Sequence, residues 1–141
     1  YYSYKFMNEM GETELQNTDD KSWVCKDANG NVQVLLWDYT HTLPADSVNN
    51  QAYYIRDLPA TSKGKVRIGL SGMAQGKYKL EIYRVGYKSN DAYSTYLAMG
   101  RPDQLTKAQV EQIKKQNDGS PMAIENIQIK NNQSFVKELD L

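Results

Sequence analysis

Residues 31–39, Asn-Val-Gln-Val-Leu-Leu-Trp-Asp-Tyr, restrict the fold more than any other stretch of the sequence. In an extended chain Val32, Val34 and Leu36 share one face. The other face carries the bulky side chains of Leu35, Trp37 and Tyr39. An antiparallel strand with one solvated face alternates apolar with polar side chains, so a strand that is apolar on both faces is covered on both sides. The stretch therefore predicts a central strand of a β-sheet.

A second strand is predicted immediately before it, at residues 22–27. The intervening Ala28-Asn29-Gly30 contains an Asn-Gly pair, which supplies the positive backbone angles of a tight hairpin turn. Cys25 lies within this strand and is predicted to be a small buried side chain. Because it is the only cysteine, an internal disulfide and a cysteine-based metal site are excluded.

Alternating apolar and polar residues predict five further strands, at 51–58, 65–71, 77–85, 123–130 and 134–141. The strands at 65–71 and 77–85 are separated by a short glycine-containing turn, so we expect them to pair as a meander. Short alternating strands favour antiparallel sheets packed face to face over a parallel fold. The predicted fold is all-β, an antiparallel β-sandwich.

Two helices are predicted in addition to the strands. Residues 1–10 space their apolar side chains as in an amphipathic helix, and Gly11 suits the position just past its end. The second helix begins at Thr106, where Gln109 completes a capping box, and stops before Gly119. Its apolar face is narrow, so we expect an inserted helix on the surface.

The charge balance argues against two classes of partner. Lysine and arginine together number 17, as do aspartate and glutamate. With no net charge, no field steers the chain toward nucleic acid or an anionic membrane. The sequence contains no run of about 18 apolar residues, so it predicts no membrane helix. The chain opens at Tyr1 without a leader pattern, as a piece of a longer protein would, and the compartment stays open.

A catalytic constellation is not visible. His41 is the only histidine, which excludes a histidine-based metal site, and no Gly-x-Ser-x-Gly elbow accompanies it. We interpret His41 as a residue that makes a structural or binding hydrogen bond. Nothing in the sequence brings two carboxylates to the distance that glycoside hydrolysis requires. We predict no catalytic residue, no metal and no cofactor.

Eleven tyrosines are the unusual feature of the composition. A tyrosine combines a flat apolar face with a hydroxyl group, so it suits sugar stacking and packing at interfaces alike. Several tyrosines lie in residues 83–96, a tyrosine-rich segment for which two interpretations stay open. It is either a sugar platform or a long loop held by buried aromatics against a neighbouring domain. The candidate contact residues are Tyr39, His41, Tyr87, Asn90, Asp91, Tyr93 and Tyr96.

Four longer stretches of the sequence form a distinctive set. They are Val-Gln-Val-Leu-Leu-Trp-Asp-Tyr-Thr (32–40), Asn-Gln-Ala-Tyr-Tyr-Ile-Arg-Asp-Leu-Pro (50–59), Tyr-Arg-Val-Gly-Tyr-Lys-Ser-Asn-Asp-Ala-Tyr (83–93) and Met-Gly-Arg-Pro-Asp-Gln-Leu-Thr (99–106). These stretches resemble the C-terminal region of bacterial glycoside hydrolase family 39 enzymes, the β-xylosidase family. Their order and spacing match as well, so the resemblance covers nearly the whole chain.

The resemblance implies a division of the chain. In that family a TIM barrel carries the two catalytic glutamates, and an accessory β-sandwich follows it. Residues 1–11 would then be the remnant of the last barrel helix, 12–21 a connector and 22–141 the accessory domain. The family's acid/base glutamate lies in an Asn-Glu-Pro motif, whereas Asn8-Glu9 is followed here by Met10. No catalytic residue carries over, and the chain itself is expected to be inactive.

The resemblance also implies a function for the whole protein. We expect a non-catalytic domain that packs on its own catalytic barrel, stabilises it, and shapes the active-site rim or an interface between subunits of a homo-oligomer. The alternative is a carbohydrate-binding module that holds xylo-oligosaccharides with surface tyrosines.

Overall fold

The structure is a computed structural model that describes residues 1–38, 57, 59–131 and 133–141. Its helices are α1 (Tyr2–Asn8), α2 (Ala92–Ala98) and α3 (Lys107–Gln116). Its strands are β1 (Thr13–Glu14), β2 (Ser22–Lys26), β3 (Val32–Leu36), β4 (Lys65–Leu70), β5 (Gly76–Ile82), β6 (Ala123–Ile129) and β7 (Phe135–Asp140). The chain divides into two compact units, residues 1–52 and 53–141. The strand predicted at 51–58 lies outside the described residues, apart from Asp57.

The first unit contains a three-stranded antiparallel sheet in the order β1-β2-β3. The predicted hairpin of β2 and β3 is confirmed, with Ser22 opposite Leu36 and Lys26 opposite Val32. Among the described residues β1 pairs with β2, so β2 lies between β1 and β3. The central position predicted for residues 31–39 stays a prediction, because the strand predicted at 51–58 lies outside the described residues. Strands pair through backbone hydrogen bonds, which residues with polar side chains make as well as apolar ones. The polar strand β1 therefore joins the sheet although no apolar pattern predicts it.

The Asn29-Gly30 pair predicts a tight hairpin turn with positive φ angles, and the observed turn differs. Within the turn, Gly30 alone has a positive φ, of 86°. The carboxylate of Asp27 accepts hydrogen bonds from the backbone N–H groups of Asn29 and Asn31, at 2.9 and 2.8 Å. The side-chain hydrogen bond from Asn31 is the main reason that the pKa of Asp27 is lowered. This is a three-residue loop with its glycine in the left-handed region, a common hairpin connection.

The core of the first unit is small. Val24 is 9% exposed and Cys25 is 1% exposed, which confirms the burial predicted for the cysteine. Gly11 packs so closely on β2 that a Cβ atom there would lie 2.3 Å from the carbonyl carbon of Lys26. A side chain at residue 11 is therefore excluded unless the backbone moves.

The second unit contains two antiparallel strand pairs, β4 with β7 and β5 with β6. The strands predicted at 65–71 and 77–85 are confirmed, but the prediction that they pair as a meander is wrong. The connection at residues 71–75 takes the chain from one strand pair to the other, so that β4 pairs with β7 from the far end of the sequence.

Alternate residues of these four strands form the inner faces. Ile129 is 3% exposed, and the other inner residues are half-buried. Lys137 Nζ of β7 lies 2.5 Å from Glu125 Oε1 of β6, which links the two strand pairs through side chains of their inner faces. The predicted all-β, sandwich-like fold is confirmed.

The long connection between β5 and β6 carries α2 and α3. The capping box of α3 is present: Thr106 Oγ1 accepts from the Gln109 N–H at 3.3 Å, and the Thr106 N–H donates to Gln109 Oε1 at 2.9 Å. No residue of α3 is buried, as expected of a surface helix. The short helix α2 adds a second helix to the single one predicted there. None of the helices in the described ranges is long and apolar enough to cross a membrane.

Candidate functional site

Five of the seven candidate contact residues lie in the connection between β5 and β6, which we call the helical segment (residues 83–122). The other two, Tyr39 and His41, lie outside the described residues, and their roles stay predictions. The side chains of the helical segment and their partners determine what the segment can bind.

Asp91 is the N-cap of α2. Its Oδ1 accepts a hydrogen bond from the Tyr93 N–H at 3.1 Å, and its Oδ2 accepts from the Ser94 hydroxyl. The Lys88 N–H also donates to Oδ2, at 3.4 Å. A carboxylate at an N-cap satisfies donors that have no partner within the helix. The observed contacts of Asp91 thus start and orient α2.

Asn90 joins the two ends of the helical segment. Its Nδ2 donates to the carbonyl of Arg84 at 2.9 Å, and its Oδ1 accepts from the Gly119 N–H at 2.9 Å. Its φ is 49°, a left-handed conformation that asparagine adopts more readily than most residues. One side-chain amide therefore fixes both a tight turn and a contact between distant parts of the sequence.

The rings of Tyr93 and Tyr96 stack on each other. Their centroids are 6.3 Å apart and their planes differ by 29°. The Tyr96 hydroxyl donates to the carbonyl of Pro102 at 3.3 Å. The Tyr93 hydroxyl is buried and has no hydrogen-bond partner among the described residues. Both side chains are half-buried, so part of this aromatic pair faces solvent.

Asn117, which is not among the candidates predicted from the sequence, joins α2 to α3. It is 9% exposed, and its Nδ2 donates to Thr95 Oγ1 at 3.0 Å and to the Ile113 carbonyl at 2.8 Å. Its position after a helix and before Gly119 is a signal for a helix end. No feature of the sequence indicates that Thr95 of α2 is its partner.

A cavity of about 360 Å³ lies beside α2. It is lined by Asp57, Lys88, Ser94, Leu97, Ala98 and Arg101. Asp57 Oδ2 accepts a hydrogen bond from the Tyr87 hydroxyl at 3.0 Å, and Lys88 Nζ lies 4.9 Å from the centroid of the Tyr87 ring. None of the six lining residues is among the candidates predicted from the sequence.

Two cationic residues of the cavity have left-handed backbones. The φ values are 59° for Lys88 and 53° for Arg101. A non-glycine residue pays on the order of 1–2 kcal/mol for this conformation, so the surrounding structure has to hold it in place. The pKa of Lys88 is raised, chiefly by its interaction with the Tyr87 hydroxyl and to a smaller extent by the charge of Asp57. The ammonium group is therefore charged at neutral pH.

A metal centre has no basis in the described part of the chain. No group of three or more histidine, cysteine, aspartate or glutamate residues is arranged there to hold a metal ion.

Comparisons with known proteins identify the fold. No protein-family model matches the sequence, and no curated protein matches it either. Ten chains of solved structures match, and three of them are similar over nearly the whole chain. A glycoside hydrolase family 39 enzyme from Xanthomonas axonopodis pv. citri has a TM-score of 0.89 and 24% sequence identity, over 99% of this chain. A monomeric β-xylosidase from Caulobacter crescentus CB15 has a TM-score of 0.84 and 27% identity, also over 99%.

The third structure is a family 39 β-xylosidase from Caulobacter crescentus, with a TM-score of 0.62 and 23% identity over 98% of this chain. The match covers 27%, 28% and 26% of the three longer chains, so this chain spans about a quarter of their length. The resemblance predicted from the sequence is confirmed: the chain has the fold of a domain of family 39 β-xylosidases.

Proposed function

We propose that this chain is a non-catalytic accessory domain of a β-xylosidase-like glycoside hydrolase, which packs on a catalytic barrel and stabilises it. The observation that carries the proposal is that the domain buries few apolar side chains by itself. In the described ranges the buried hydrophobic residues are Val24, Cys25 and Ile129. The similar enzymes have about three quarters of their chain outside the matched region, which supports a large neighbouring domain.

The exposed apolar residues of the first unit support the same proposal. Tyr1, Tyr4 and Met7 are 90%, 79% and 48% exposed, and their three-residue spacing places them on one side of α1. Trp37, just past β3, is 47% exposed. Apolar side chains concentrated in this way are typical of a surface that another protein or domain covers. In our proposal residues 1–11 are the last helix of the barrel, 12–21 the connector and 22–141 the accessory domain.

The helical segment is the part of the second unit that we assign to the rim of the active site or to a subunit interface. Asn90, Asp91 and Asn117 hold its turns and helices by hydrogen bonds of their side chains. A segment fixed in this way can present a defined surface to a neighbouring domain without forming a core of its own.

The proposal is tested by comparing the 141-residue chain with a longer protein that includes the sequence encoded before Tyr1. We expect that sequence to encode a TIM barrel with two catalytic glutamates. Tyr4→Ser and Trp37→Ser together should reduce self-association of the 141-residue chain in light scattering, because they remove exposed apolar surface. In the longer protein the same pair should lower the thermal midpoint of the barrel, because there the side chains are covered.

Val136→Ser is the matched control, since Val136 is 44% exposed on the outer face of β7. It should leave the barrel midpoint unchanged. The proposal is wrong if no barrel is encoded before Tyr1, or if the barrel is equally stable without this domain.

A carbohydrate-binding module is the second candidate, favoured by the stacked, half-buried rings of Tyr93 and Tyr96. Calorimetric titration with xylo-oligosaccharides should then give saturable heat that Tyr96→Leu abolishes. Tyr83→Leu, which changes an exposed tyrosine outside α2, should leave it unchanged. No heat with any oligosaccharide would remove this candidate.

A further inference from the structure

We propose that the outer face of the β5–β6 strand pair binds an acidic oligosaccharide, a chain of sugar rings that carry hydroxyl groups and carboxylates. The surface lies within the second unit and does not include the helical segment, so the inference goes beyond the proposed function. A depression of about 510 Å³ lies on this face, within the size range of sites that take small molecules. It is lined by Lys77, Tyr78, Lys79, Asn126, Ile127 and Gln128.

The strand register arranges the four exposed side chains of this depression in a rectangle. Lys77 lies opposite Gln128, and Lys79 lies opposite Asn126. Side chains two residues apart on one strand are about 7 Å apart, and opposite pairs are about 5 Å apart. The other two lining residues alternate with these four and face inward, so their backbone forms the floor. Cations therefore line one side of the depression, and amides line the other.

The outer faces of the two strand pairs differ in how their charges are balanced. On β4–β7, Lys65 lies opposite Asp140 and Arg67 lies opposite Glu138, so each cation faces a carboxylate across the strands. On β5–β6 each lysine faces an uncharged amide. Opposite charges across a strand pair stabilise the sheet, and the β5–β6 face lacks these pairs. Its positive charge is therefore available to an anionic ligand.

Lys77 carries the charge that a ligand can use. Lys79 forms an ion pair with Glu81 of its own strand, whereas the Lys77 side chain forms no ion pair or hydrogen bond within the described part of the chain. An ammonium group binds a carboxylate through a charge-assisted hydrogen bond, which is stronger than one between neutral groups. We therefore expect a ligand carboxylate at Lys77.

Asn126 and Gln128 provide the groups that recognise hydroxyls. Each side-chain amide offers donors and an acceptor, and within the described ranges neither has a hydrogen-bond partner. A sugar hydroxyl also donates and accepts, so one amide can bind two neighbouring hydroxyls of a ring. A simple anion would leave both amides unused. The one aromatic residue of the lining, Tyr78, faces inward and offers no surface for stacking a nucleic-acid base.

The test is an NMR titration of the ¹⁵N-labelled 141-residue chain with three probes, tri-D-galacturonate, neutral xylotriose and tri-L-glutamate. With the galacturonate trimer we expect saturable shifts of the backbone amides of β5 and β6 and of the side-chain amides of Asn126 and Gln128. Xylotriose and triglutamate should bind at least about tenfold more weakly, because the first lacks the carboxylates and the second lacks the hydroxyls.

Substitutions test the two kinds of contact separately. Lys77→Gln removes the charge and should weaken binding of the galacturonate trimer about tenfold. Asn126→Ala and Gln128→Ala should each weaken it roughly threefold to tenfold, since each removes hydrogen bonds between neutral groups. Lys65→Gln is the charge-matched control, because Lys65 is an exposed lysine on β4 that lies opposite Asp140. It should leave the affinity unchanged.

Several results would overturn the inference. They are no saturable shift with the galacturonate trimer, equally tight binding of xylotriose or of triglutamate, or an equal loss of affinity in Lys65→Gln. Shifts confined to α2 would overturn it as well, because they would place the sugar at Tyr93 and Tyr96. The amide spectrum of each variant reports whether it is folded, so loss of the site is distinguished from loss of the fold. Failure here leaves the proposed accessory role untouched, because that role does not use this face.

Discussion

The strand pair β5–β6 and the helical segment that joins its two strands are held together by different interactions. The strands pair along seven positions, from Gly76 opposite Ile129 to Ile82 opposite Ala123, and the inner face of the pair is apolar apart from Glu125. In the helical segment, side chains of Asn90, Asp91 and Asn117 supply the hydrogen bonds that fix its shape. Repeated weak contacts stabilise the first region, and a few specific polar contacts stabilise the second.

The difference predicts how each region responds to mutation. In the strand pair the loss of one side chain lowers the stability only on the buried face, because the backbone hydrogen bonds between the strands remain. In the helical segment the loss of one amide breaks two hydrogen bonds at once and leaves their partners unsatisfied.

The largest effect is expected from Ile129→Ala. Ile129 is 3% exposed, so truncation removes apolar contacts and leaves a cavity. We expect the free energy of unfolding, measured by urea titration, to fall by about 2–5 kcal/mol.

The control lies on the same strand. Ile124→Ala makes the same chemical change where the side chain is 56% exposed, and should cost less than about 1 kcal/mol. Equal losses at the two positions would show that burial on the inner face does not stabilise the strand pair.

A smaller loss is expected from Asn117→Ala in the helical segment. It removes the donor to Thr95 Oγ1 and to the Ile113 carbonyl, in a side chain that is 9% exposed. We expect about 1–3 kcal/mol, together with faster amide hydrogen exchange in α2 and α3. Gln116→Ala, at the exposed preceding residue, is the control. Unchanged exchange in α2 would contradict the bridging role of Asn117.

The smallest effect is expected from Thr106→Ala, which removes the N-cap of α3. The threonine oxygen accepts the Gln109 N–H at 3.3 Å, and the loss of such a cap costs about 1 kcal/mol. Hydrogen exchange should accelerate at the first turn of α3 and stay unchanged in β5 and β6. Thr106→Ser retains the hydroxyl and should behave like the unmodified chain. Exchange that accelerates in the strands as well would mean that the two regions unfold together.

Much of the fold was predictable because it rests on local patterns. The alternation at 65–71 and 77–85 predicted β4 and β5, and the spacing of Thr106 and Gln109 predicted the start of α3. Each of these signals lies within a few residues of the element that it specifies. The resemblance to family 39 enzymes rests on longer stretches, and the structural comparison confirmed it.

Partners that are distant in sequence were not predictable. The pairing of β4 with β7, the addition of β1 to β2 and the contact of Asn117 with Thr95 join residues that no local pattern relates. The candidate site shows the same limit. Asn90 and Asp91 were selected as polar residues near tyrosines, whereas their partners and the cavity beside α2 became visible only in the folded chain.

The sequence by itself determined the class of fold, the hairpin of β2 and β3, and the position of α3, because side-chain periodicity and capping act over one strand or one helical turn. The tertiary structure decided which strands pair and which side chains surround the cavity. Backbone donors and acceptors are chemically alike in every strand, so pairing is set by how the apolar faces pack together, and that is a property of the whole chain.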